Sequence, residues 1–384
     1  MAPLEGIRVV DFGRFLPGPY ATWLLADLGA EVIRIENARE QAKFDAMFRL
    51  SELSDEERAR YDAAQVFLRG KKNVRLDLAD PEHREAAYKL IDTADVLCED
   101  FRPGVIADIG FGAEAMMARN PKLVYCSVSA CGQTGPYAQR PGHEPIALAI
   151  SGLLDRLGTT EKPMFAGVPF VDLLTGSNAA IAIMAALTAR GTTGRGQVVD
   201  AAMTDSAMTL LGMVMSRSAD IRPVPPRGFH GMHGGIWKTR DGRFIASSDM
   251  EPRYWKAFCE ALGKPEYIDK QHDKSLWEQM RAEFDAVFAT RDASEWLDIL
   301  GAAGTQHALV YQLDEALADP HNRARGMVAE MAGPNGSTIR HIGSPLHLSD
   351  TPVVDPQPAH GAGADTREVL ASIGMEHLLE GAEA

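Results

Sequence analysis

The chain's 384 residues, 45% apolar and 24% charged, describe a soluble globular protein with material for a large core and a smaller second one. Its 39 Lys and Arg stand against 53 Asp and Glu, a net charge of −14, which argues against non-specific nucleic-acid binding and against docking on an anionic membrane. Cys98, Cys126, Cys131 and Cys259 form no CxxC pair and are too few for a disulfide framework, so reduced thiols in a cytoplasmic protein are expected.

Residues 1–6 have neither a basic nor an apolar leader character, so no secretory signal is expected, and no apolar run reaches the roughly 18 residues of a membrane span. Residues 7–11 read as a strand, 12–19 as a loop with Gly and Pro punctuation, and 20–28 as a helix stopped by Gly29. A second strand at 31–35 completes a βαβ unit and predicts an α/β domain with a parallel sheet. Gly13 and Gly18 do not make GxGxxG, so no nicotinamide cofactor is indicated. Residues 38–70 are highly charged without core periodicity and read as a mobile or partner-covering excursion. A helix ending at 87–91 and strands at 94–98 and 123–128 continue the α/β pattern.

Asp172 follows a short apolar run and precedes a long apolar stretch, 177–189, with helical spacing. A carboxylate at a helix mouth is held ionised by the dipole and the free N–H groups, ready to act as base or nucleophile. The plainer alternative is a helix cap. Residues 218–228, with three prolines, read as a linker. A hairpin at 235–246 turns on Asp241-Gly242, two or three helices run to about 303, and the tail is loop-rich until a helix at 366–373. The domain reading is 1–217 for a large α/β domain, 218–228 for a linker, 229–318 for a small α+β domain, and 319–384 for a return to the first. His230 and His233 flank Gly231-Met232, but no carboxylate or cysteine completes a metal site.

Several segments together resemble the class III CoA-transferase family, the carnitine and bile-acid CoA-transferase group. They are 3–11, Pro17-Gly-Pro19, 25–35, Asp100-Phe-Arg-Pro-Gly104, 132–136, Asp172 with its helix, 193–197 and Ala318-Asp-Pro-His321, in the family's order. The resemblance implies a Rossmann-like large domain built from both chain ends, a smaller domain between, and an interlocked homodimer. It implies no permanently bound cofactor, with coenzyme A arriving as part of an acyl-CoA thioester. Two chemistries occur in the family. Transferases use the aspartate as a nucleophile, through an acyl-aspartyl anhydride, and the α-methylacyl-CoA racemase branch uses it as an acid/base opposite a histidine.

His143, in Arg140-Pro-Gly-His-Glu144 and 29 residues before Asp172, is closest to the racemase branch. Inverting a carbon beside a thioester needs a proton acceptor on one face and a donor on the other. Glu251 matches the glutamate that orients the histidine in that branch, with Asp249 as a neighbouring competitor. Leu16 stands where formyl-transferring members carry a glutamine. Departures from the racemase pattern are Val168 for an asparagine, Ala147 for a tyrosine, and Asn37 for a basic residue, with Arg34 or Arg39 as substitutes. Arg102 is the leading phosphate ligand for CoA, with Lys71, Lys72 and Arg75 beside Leu76. Met203, Met208, Met213, Met215 and Met232 suggest an adaptable acyl pocket or plain core. The reading is an acyl-CoA α-carbon racemase, with a CoA-transferase acting through Asp172 as the alternative.

Overall fold

The computed structural model describes residues 1–159, 161–218 and 234–379. The chain divides into two compact units, 1–224 with 324–384 and, separately, 225–323. The expected linker falls mostly outside the described residues, as do His230, Met232 and His233.

In the first unit, β1 (Arg8–Asp11), α1 (Pro17–Asp27) and β2 (Glu31–Asn37) form the opening βαβ. The helix starts three residues earlier than apolar spacing suggests, because Pro17 and Pro19 fit the first turn, where no N–H is required. Gly29, at φ 95°, turns the chain into β2. The charged excursion is helical rather than irregular: α2 (Ala38–Met47) buries no residue, and α3 (Asp55–Ala63) opens on a capping box between Ser54 and Glu57. Arg58 ties the two helices, 3.1 Å from Asp45 and 2.9 Å from Asp62. Charge pairing and caps hold these helices, which apolar spacing does not detect.

Next come β3 (Lys71–Leu76), α4 (Pro81–Asp92), β4 (Val96–Glu99), α5 (Val105–Asp108), α6 (Ala113–Arg119) and β5 (Val124–Ser129). They lead to α7 (Glu144–Ser151), α8 (Phe170–Thr193), β6 (Val198–Ala202), α9 (Met203–Thr209) and α10 (Gly212–Ser218). The six strands form one sheet, in the order β3-β2-β1-β4-β5-β6, with every pairing parallel. The order in which successive strands are added reverses between β1 and β4, so a crevice opens there beyond the strands' carboxyl ends.

α8 has 24 residues and, contrary to the run-length expectation, is long and apolar enough by length and composition to cross a membrane. Its Ala179, Ala180, Ile183 and Ala186 are buried in a core shared with α1 and the sheet. At Gly176 a Cβ would stand 2.6 Å from the Pro17 carbonyl oxygen and 2.9 Å from the Tyr20 ring, so only glycine lets α8 lie this close to α1.

The second unit contains β7 (Gly234–Lys238), β8 (Phe244–Ser248), α11 (Pro252–Ala261), α12 (Trp277–Phe288), α13 (Ala293–Ala303), β9 (His307–Leu309) and α14 (Leu313–Ala318). The expected hairpin is present, with Gly242 at φ 81°, and β9 adds a third antiparallel strand. Its core is aromatic: Trp237 stacks on Phe288 at 5.4 Å, and Trp255, Phe258 and Phe284 pack around them. After α15 (Pro320–Ala324), the return segment forms an unexpected hairpin, β10 (Val328–Ala332) and β11 (Thr338–Ile342), then α16 (Thr366–Ser372). Asp365 accepts the Asn73 N–H at 2.7 Å, and Thr366 accepts the Arg75 N–H at 3.0 Å, which anchors the return segment on the sheet's edge strand.

Candidate active site

A cavity of about 580 Å³ lies at the sheet's switch point. Residues 14–17 reach it from the loop after β1, 100–103 from the loop after β4, and 128–130 from the end of β5. His143, just before α7, and Asp172, in the first turn of α8, complete the chemically active wall. The volume falls in the range of small-molecule sites.

Asp172 is 9% exposed. Its carboxyl is not held ionised as a helix-mouth acid would be. It is pushed up to about 7, first by burial and then by the like charges of Glu144 and Asp100. A helix dipole offers about 0.3–1 kcal/mol at such a position, whereas a rise of this size corresponds to roughly 4 kcal/mol, so desolvation wins. The α8 terminus is also already satisfied: Glu144 accepts the Val171 N–H at 2.7 Å, and the Asp172 N–H points to the same carboxylate. Pro169, the N-cap residue of α8, has no side chain able to do this, and the cap comes from α7 instead.

His143 is exposed, with its ring edge-on to Phe15 at 5.4 Å between centroids. Its side chain makes no hydrogen bond to a described residue. Ala147, one turn into α7, is fully buried with Val171 and Met203, and Val168 is 59% exposed. Leu16 lines the cavity, and so does Met203, whereas Met208, Met213 and Met215 are exposed. Glu251 lies in the second unit as the exposed N-cap residue of α11. There Asp249 is fully buried, accepts the Gln306 N–H at 2.9 Å, and is pushed up to about 6 by burial.

The candidate CoA ligands separate into distinct places. Arg102 lines the cavity, is exposed, and its guanidinium makes no hydrogen bond or ion pair with a described residue. Lys71 is buried under the sheet, 3.0 Å from Asp11 and 2.7 Å from Thr22, so its ammonium is not open to a phosphate. Lys72 bridges Glu31 and Glu368, Arg75 is exposed beside the return segment, and Leu76 is fully buried core. Asn37 caps α2, Arg39 pairs with Asp77 at 2.9 Å, and Arg34 is buried against Glu36. Sequence reading missed Glu144 and Asp100, although each sits in a motif it quoted. Their roles depend on which N–H groups the fold brings to them.

The model of CoA-transferase family III matches residues 4–366. The chain belongs to this family. Among relatives of this family III protein, a probable fatty acyl-CoA transferase of Mycobacterium tuberculosis is 32% identical, over 94% of this chain and 95% of that one. The human α-methylacyl-CoA racemase is 30% identical over 84% and 81% of the two chains. A succinate–glutarate CoA-transferase of Agrobacterium fabrum is also 30% identical, over 97% and 96%. A solved CAIB/BAIF family protein from Brucella suis superposes with a TM-score of 0.81 at 26% identity, covering 97% of this chain and 99% of that one. Racemases and transferases therefore stand at similar distance from this family III enzyme.

Proposed function

We propose that the protein inverts the α-carbon of a 2-methylacyl-CoA thioester by two-base proton transfer. One observation carries the reading: His143 and an Asp172 carboxyl pushed up to about 7 line the same cavity. A carboxyl with that pKa both takes and gives a proton near neutral pH, as reversible inversion requires. In one direction Asp172 removes the α-proton, the electron pair moves to the thioester oxygen as an enolate, and the His143 imidazolium delivers a proton to the opposite face. The reverse direction exchanges the two roles.

The CoA portion is substrate, no permanent cofactor is needed, and Arg102 at the cavity holds a phosphate of the thioester. The working form in this reading is a homodimer in the cytoplasm, without nucleic-acid or membrane partners. Exposed Phe165, Ile181 and Met213 on the first unit support an assembly that covers them.

The transferase reading draws support from the two transferase relatives, at 32% and 30% identity. There the Asp172 carboxylate attacks the thioester carbonyl and expels CoA thiolate, leaving an acyl-aspartyl anhydride. The raised carboxyl pKa does not separate the readings, because a carboxyl half-ionised near neutral pH serves as nucleophile or as base. His143 in the same cavity is what favours inversion, since attack by Asp172 needs no second proton carrier across the α-carbon. Incubation of a 2-methylacyl-CoA in heavy water without an acceptor acid separates the two. The proposal predicts deuterium at the α-carbon. Transfer of CoA to an added carboxylate with no α-exchange would contradict it.

A further inference from the structure

We propose that Asp100 and Phe15 form a brace that positions the His143 ring, Asp100 by fixing the loop after β1 and Phe15 by packing on the imidazole. Asp100 follows β4 directly and its side chain is 4% exposed. Its Oδ2 accepts the N–H groups of Arg14 at 2.9 Å and Phe15 at 3.1 Å, so one carboxylate oxygen sets the backbone of two consecutive loop residues. Oδ1 lies 3.6 Å from Arg14 Nε, and neither atom has a hydrogen-bond partner among the described residues.

The surroundings leave this arrangement little freedom. A Cβ on Gly18 would stand 3.1 Å from Oδ2 and 3.3 Å from Cβ of Asp100, so the carboxylate is packed against the start of α1. The Arg14 guanidinium lies 3.7 Å over the Phe101 ring and 5.4 Å from the Phe15 ring, which stiffens the loop from its other side. Phe15 is nonetheless 55% exposed, so burial does not account for its position. What it touches is His143, edge to face at 78°. With no hydrogen bond from the imidazole to a described residue, this ring contact is what sets its direction. Neutral asparagine at position 100 would retain an oxygen for both N–H groups, whereas alanine would release the loop.

The kinetic part of this proposal rests on the two-base reading, and the structural part does not. The test uses full-length protein labelled with carbon-13 at histidine Cε1, with the His143 signal assigned through His143→Gln. In the wild type, the Phe15 ring current displaces that signal. Phe15→Leu, at an exposed site, removes the displacement. Asp100→Ala moves the signal in the same direction, and Asp100→Asn leaves it near the wild-type position. Both Phe15→Leu and Asp100→Ala lower kcat about tenfold for inversion in both directions, because His143 is the base in one and the acid in the other, with KM changed less, the size expected for losing one aromatic contact. An unmoved signal in Phe15→Leu, or an Asp100→Asn signal displaced as far as that of Asp100→Ala, overturns the brace. If the signals behave as stated while the wild type shows no α-exchange, the brace stands and the racemase reading falls.

Discussion

At Asp172 two influences oppose each other, a helix terminus that favours the carboxylate and burial beside two further acids, Glu144 and Asp100, that disfavours it. Burial wins, and the carboxyl titrates near 7. Inversion in either direction needs one proton shared between Asp172 and His143, so kcat/KM for both substrate hands is predicted to follow the same bell-shaped pH profile. It falls on the acid side where both groups hold protons and on the alkaline side where neither does, with the Asp172 titration at about 7 inside that range. A profile flat through that range would contradict this assignment. The same shift carries a stability cost. An acid with a raised folded pKa keeps its proton in the folded state while the unfolded chain has lost it. Stability therefore declines from about pH 4 to about pH 7 by up to roughly 4 kcal/mol. Asp172→Asn is predicted to unfold at a higher temperature than wild type at pH 8 and near the wild-type temperature at pH 4, measured calorimetrically.

Helix α8 shows how much of an element was legible. Its apolar stretch and the acid ahead of it were plain in the sequence, because helical spacing of Ala and Ile is a local signal. Its true start at Phe170, its cap from Glu144 and its close approach to α1 were not, since each depends on partners far along the chain. Residues 38–70 failed for a different reason: charge pairs and caps, not apolar spacing, define α2 and α3. Gly176 gives a test at this scale. Alanine in a helix interior ordinarily stabilises by about 1 kcal/mol. Here a Cβ would meet the Pro17 carbonyl at 2.6 Å, so Gly176→Ala is predicted to destabilise by about 1–3 kcal/mol in denaturant titration. A variant as stable as wild type would show that α1 and α8 separate freely.

For the whole molecule, the strand order explains why residues distant in sequence share one cavity. The loops after β1 and β4 diverge at the switch point, and α7 and α8 bring His143 and Asp172 to the same opening. The parallel sheet was legible from the opening βαβ pattern, and the His143–Asp172 pairing came from the family resemblance. Lys71 was misleading because a basic residue on a strand looks the same in sequence whether it faces a ligand or, as here, a buried Asp11. The proposed homodimer predicts a sedimentation mass twice the chain's 41.7 kDa, and a mass of one chain would contradict it.

The two-base assignment is tested most directly by solvent deuterium exchange into each enantiomer of a 2-methylacyl-CoA, followed with wild type, His143→Ala and Asp172→Ala. Wild type is predicted to exchange and invert both hands. His143→Ala should lose inversion of both but retain slow exchange from the hand served by Asp172, and Asp172→Ala should show the mirror pattern. Inversion at a normal rate in His143→Ala, with hydroxylamine trapping an acyl group on Asp172 of the wild type, would contradict the account and identify a CoA-transferase.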